Sequence, residues 1–152
     1  MEPFVLEGTA GETSLSLFAM LTHDITLEDY QNEIGTETAE QITVVCNKTL
    51  SESLTLTGGT LPIGSEKGGW KLIGWTLQPY TNSGFQVAVL DQDLIVNDAN
   101  ILTVQTSTLY AIYESSVAIK GGTHGETPID TRTIIFGCRF TVGSYSDQVA
   151  VP

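Results

Sequence analysis

Apolar runs of three to seven residues, rich in Val, Ile, Thr and aromatics, recur along this chain, and Gly, Pro, Asn or Ser stops nearly all of them. Such punctuation leaves little room for long helices and favours short strands. The runs lie at 4–6, 15–21, 42–46, 71–76, 85–90, 101–104, 108–113, 133–136 and 139–142. Turn-like stretches separate them at 8–11, 58–59, 64–69, 79–84 and 121–125. Leu50, Leu54 and Leu56 lie in a Thr/Ser background and continue the strand signal after residue 46. A helix is expected only at 24–30, where Thr26 precedes Leu27, Glu28 and Asp29, an N-cap followed by acids that suit the helix dipole, with Gly35 ending it. The expectation is a mainly β fold with at most one or two short helices.

Composition agrees with that reading. Threonine, which is β-branched and favours strands, occurs 21 times, while only 16% of residues are charged. At 41% hydrophobic residues and a mean hydropathy of +0.08, 152 residues can bury a core and fold. The net charge of -12 opposes binding to nucleic acid or anionic lipid and attracts a basic partner or a cation. Nine of the 18 carboxylates fall within residues 1–40 and the first basic side chain is Lys48, which makes Glu28, Asp29 and Glu33 candidates for docking on a basic surface. The opening seven residues carry acids where an export signal carries bases, so Sec-type export is not expected and Asn47-Lys48-Thr49 reads as a chance glycosylation match. The short likeness between 8–13 and 122–127 reads as two similar turns.

Residue patterns that carry chemistry are sparse. Cys46 and Cys138 lack metal or redox spacing and read as small buried hydrophobes, a disulfide remaining open if the fold brings them together. His23-Asp24 reads as an exposed pair at a helix start, and His124 as part of a turn. No nucleophile elbow or phosphate-binding loop is present. Asp91, Asp93 and Asp98 are the best calcium candidates, but they lack EF-hand spacing and read as a solvated hairpin end. No catalytic, cofactor-binding or metal residues are therefore expected, and no small-molecule substrate.

Four words between residues 41 and 114 set that segment apart. They are Ile42-Thr43-Val44-Val45, then Gly59-Thr60-Leu61-Pro62, then Lys67-x-Gly69-Trp70-x-Leu72-x-Gly74-Trp75, and Leu102-Thr103-Val104 with Thr108-Leu109-Tyr110-Ala111-Ile112-Tyr113. Their order resembles the internalin-type B repeat, also called the Listeria–Bacteroides repeat, a small β-grasp-like module of bacterial surface proteins. The family's Asn-Gly-Gly turn is replaced here by residues 47–53, and its closing Trp by Tyr113. The resemblance implies a β-grasp-like module with additional flanking strands, a core built on Val44, Trp70, Leu72, Gly74, Trp75, Leu109 and Tyr110, and no active site. In a regular strand Trp70 and Trp75 would point to opposite faces, one to the core and the other to a flank or partner.

The expected organisation is an acidic docking extension at 1–40, a B-repeat-like module at 41–114 and a β extension at 115–152 that could pair with the first. A surface-display module without an export signal points first to a bacteriophage virion component: a capsid decoration, head-fibre or tail-associated protein. Its partners would be other virion proteins or copies of itself, with neither nucleic acid nor membrane insertion. The alternatives are an adhesion module from a longer exported bacterial surface protein, and an acidic inhibitor that mimics DNA.

Overall fold

The computed structural model describes residues 19–29, 40–80, 84–120 and 127–139. Their strands are β1 (Thr22–Glu28), β2 (Gln41–Val45), β3 (Glu66–Lys67), β4 (Trp70–Thr76), β5 (Thr108–Lys120) and β6 (Pro128–Ile135). One helix, α1 (Leu50–Thr57), follows β2, and a 3-10 turn occupies Gln92–Leu94. The strands join in one mixed sheet, ordered β2-β1-β5-β4-β3, with β6 on β5. β1 is antiparallel to β2 and parallel to β5, which is antiparallel to β4. A first antiparallel pair, a helix and a return of the chain into the sheet centre beside its first strand make the topology β-grasp-like.

β1 replaces the helix expected at 24–30. Ile25 and Leu27 are fully buried while Thr22, Asp24 and Glu28 are exposed, and this period of two outweighs the capping signal at Thr26. Residues 22–28, placed in a docking extension by the sequence reading, thus lie between β2 and β5. The expected run at 4–6 and residues 15–18 of the run at 15–21 lie outside the described residues, as does Gly35, and 19–21 are irregular rather than strand. At the other expected boundary β5 runs unbroken from 108 to 120. Glu114 pairs with Lys71 on one side and Ile135 on the other, so β6 takes up the side of β5 that β1 occupies earlier.

α1 forms where strand was expected. Thr49 and Glu52 make a reciprocal capping box, the Thr49 hydroxyl accepting from the Glu52 N–H at 3.2 Å and the Glu52 carboxylate accepting from the Thr49 N–H at 3.1 Å. Two more N-terminal amides, of Leu50 and Ser51, donate to the carbonyls of Asn100 and Asp98. Gly58, at φ +70°, closes the helix in the left-handed conformation. Leu50 and Leu54 reach the core from one face of the helix. From the same side Ser53 donates to the Val45 carbonyl and accepts its N–H, and Thr57 donates to the Thr43 carbonyl. The outer edge of β2 is thereby supplied with side-chain partners.

The segments at 85–90 and 101–104 are irregular rather than strands. Gln86 has a positive φ of 56°, which breaks an extended run. Ile101 makes an isolated bridge to Thr49, and Thr103–Thr106 closes as a turn.

The main core lies on one face of the sheet. Ile25, Leu27, Ile42, Val44, Leu72, Trp75, Leu109, Ala111 and Tyr113 meet Leu50 and Leu102 there. The bulge in β4 decides which tryptophan joins them. Leu72 pairs with Tyr113 but Gly74 pairs with Ile112, so Ile73 is an inserted residue and the alternation changes phase across it. Trp70, Leu72 and Trp75 therefore share the core face, correcting the expectation of opposed tryptophans. Trp75 is 1% exposed and its indole N–H donates to the Pro62 carbonyl at 2.7 Å, while Trp70 is half-buried, edge-on to Phe136.

Candidate functional site

The opposite face of the sheet carries a second, smaller core and an open cleft. Phe85, Leu90 and Ile112 are buried there, with Tyr80, Val87, Ile95, Tyr110, Ile135 and Cys138 packed against them. Tyr80 meets Phe85 and Tyr110 edge-on, at centroid distances of 5.5 and 4.9 Å. Tyr110, expected in the main core, thus belongs to this face, because it alternates with Leu109 and Ala111.

The cleft has a volume of about 380 Å³. Its floor is Ile73 and Gly74 of β4, Ile112 of β5 and Thr133, Ile134 and Ile135 of β6. Residues 88–90, with Gln92 and Ile95, form one wall, and Cys138 and Arg139 the other. Two backbone bonds tie the walls together: the Gln86 N–H donates to the Gly137 carbonyl at 2.7 Å, and the Arg139 N–H to that of Val87. Gly137 is required at this seam. Its φ is +74°, and a Cβ there would stand 2.4 Å from the Gly84 Cα.

Gly74 has a different reason. A Cβ at this position would meet nothing within 4 Å, so the glycine, expected in the main core, serves no close packing and instead leaves the cleft floor open. Arg139 lines the cleft and is exposed, and among the described residues its guanidinium forms no ion pair. Burial pushes the Cys138 thiol above its ordinary value, opposed by a backbone hydrogen bond from Leu90, so the thiol stays protonated and weakly nucleophilic at neutral pH. Cys46 and Cys138 are both free and half-buried.

The acids singled out from sequence separate. Glu28 is exposed at the end of β1, whereas Asp29 accepts a hydrogen bond of 2.6 Å from the hydroxyl of the buried Tyr113 and so anchors the end of β1 to β5. Glu33 lies outside the described residues. His23 stands on β1 opposite Val44, half-buried, rather than exposed at a helix start. Asp91 accepts the Asp93 N–H and caps the 3-10 turn, and Asn97 accepts the Ala99 N–H, so these side chains shape the loop. Among the described residues no three His, Cys, Asp or Glu side chains gather as a metal site, and no helix is long and apolar enough to cross a membrane.

The chain matches no family model, no curated protein and no solved structure. The cleft was not legible in the sequence because it depends on the β4 bulge and on the meeting of 84–90 with 137–139. Gly74, a glycine inside a strand-like run, suggested a close backbone approach and not a gap.

Past Glu114, the last β5 residue paired with β4, the sheet among the described residues narrows to a two-stranded ribbon of β5 and β6, paired from Ser115–Ile134 to Lys120–Pro128. None of residues 114–120 is buried, and their alternation of half-buried and exposed positions continues to the end of the strand.

Proposed function

We propose that this protein is a non-enzymatic structural and binding module, and that its place is in a bacteriophage virion as a capsid decoration, head-fibre or tail-associated protein. The β5–β6 ribbon carries this reading. A two-stranded hairpin is marginal in water unless something packs on it, and among the described residues this one extends from the sheet with none of residues 114–120 buried. A ribbon of that kind serves as a handle, docking on a particle or a second copy while the compact sheet is displayed. The resemblance of residues 41–114 to a bacterial surface-display repeat supports the display half of the reading, and the acidic Glu28 supports docking on a basic surface. In this role the partners are other virion proteins or copies of the chain, and no cofactor is used.

Light scattering of the full chain, alone and mixed with candidate virion shells, tests the proposal. A stable oligomer or saturable attachment to a shell is the expected result. A monomer that attaches to no shell would shift the assignment to an adhesion module of a longer surface protein. Salt-sensitive capture of a DNA-binding enzyme would instead favour a DNA mimic, as the charge of -12 suggested.

A further inference from the structure

The cleft has the properties of a small-molecule site. Its volume of about 380 Å³ falls in the range of ligand pockets. Ile73, Ile112 and Ile135 make its floor apolar, and Gly74 leaves room above β4 that a side chain could have filled. A glycine inside a strand costs stability, and nothing within 4 Å of its Cβ position requires one here. Arg139, an exposed residue of the lining, brings a positive charge to the cleft in a protein whose net charge is -12.

We propose that this cleft binds a small amphipathic carboxylate, with an aliphatic body over Ile73, Gly74 and Ile112 and the carboxylate paired with Arg139. Apolar area supplies the attraction for the body, and the guanidinium fork suits a planar carboxylate. The protein's overall negative charge repels such an anion at long range, but at physiological salt that repulsion is screened beyond about 8 Å, whereas a contact pair with Arg139 lies well inside that distance. Selectivity then rests on the head group. A neutral alcohol of the same length gains the apolar contact alone, and a quaternary ammonium meets a like charge at Arg139. This inference is independent of the virion reading.

Calorimetric titration of the full chain with monomeric decanoate, decanol and decyltrimethylammonium tests it. Decanoate is expected to bind about tenfold more tightly than decanol, and the ammonium more weakly than both. Arg139→Gln, an exposed change that keeps the backbone bond to Val87, is expected to erase the preference for decanoate while decanol still binds. Gly74→Val is expected to abolish binding of both with the thermal melt retained. If that variant fails to fold, protection of Cys138 from iodoacetamide by decanoate, followed at alkaline pH in a Cys46→Ser background, reports occupancy of the cleft in its place. Equal binding of decanoate and decanol, unchanged binding in Arg139→Gln, or no protection of Cys138 would overturn the proposal. So would a dimer lost in Gly74→Val, which would make a second copy the occupant.

Discussion

The two faces of the sheet are built from the same strands and differ in how they are closed. On one face eleven buried side chains from β1, β2, β4, β5, α1 and the 102 region form a continuous core. On the other, three buried side chains are covered by an irregular segment held to the 137–139 turn, with open space left at Gly74. The same alternation along β5 feeds both, Leu109, Ala111 and Tyr113 going one way and Tyr110 and Ile112 the other. What separates them is the cover. A helix with a capping box and two hydrophobic anchors closes its face fully, whereas a loop stapled by two backbone bonds closes its face in part. Stability is thus concentrated on one side, and space for a ligand on the other.

The sharpest way to break this comparison is at the tryptophans. Trp75→Ala removes a fully buried ring and strands the Pro62 carbonyl, and is expected to cost roughly 3–5 kcal/mol in urea denaturation, enough to unfold a marginal domain. Half-buried Trp70→Ala should cost about 1–3 kcal/mol. Equal costs would mean that the bulge does not distinguish the two positions. Gly137→Ala acts on the other face. Its Cβ would collide with the Gly84 backbone and its φ is positive, so a loss of about 1–3 kcal/mol is expected. Amide exchange should rise at residues 84–90 and 137–139 with α1 and β2 unchanged, and a uniform rise would show that the faces melt as one. Gly74→Ala has the opposite sign. With open space and no positive φ, it should stabilise by about 0.4–1 kcal/mol, read as a higher melting temperature.

The smallest effect is the pH dependence of the α1 cap. The Glu52 carboxyl is held below its ordinary 4.5, first by the Thr49 backbone N–H and then by Lys48 at 3.6 Å. A lowered folded pKa gives stability that is present above the unfolded value and lost as pH falls through the folded one. The parent's melting temperature should therefore fall more steeply than that of Glu52→Gln as pH drops from 4.5 downward. Parallel curves would remove Glu52 from the cap.

How much of this was legible in the sequence depended on whether the signal was local. β2 and β4 stand within a residue or two of their expected bounds, and β5 begins where expected, because short runs rich in β-branched and aromatic residues, bounded by turn residues, mark strands by composition alone. α1 was missed although Thr49-x-x-Glu52 is a capping box on its face, since threonines and serines around Leu50, Leu54 and Leu56 mimic a strand's composition. β1 was mistaken for a helix because Thr26 and the acids after it imitate a cap, while the alternation of Ile25 and Leu27 is only two residues long. The second face was beyond local reading. The phase change at Ile73 and the approach of Gly137 to Gly84 are properties of pairing between distant segments.

The hydroxyls of Ser53 and Thr57 have an effect that reaches beyond the single molecule. They occupy the carbonyls of Thr43 and Val45 that an incoming strand would need. The opposite flank is occupied along β4 by β3 and by residues 94–96, whose backbone groups bond to Trp75 and Leu77. Among the described residues these partners engage edge groups on both flanks of the main sheet, which disfavours the zipping of copies into an endless ribbon through those sides. In that sense those edges favour termination over propagation: a strand that approached them would find part of its backbone partners already taken.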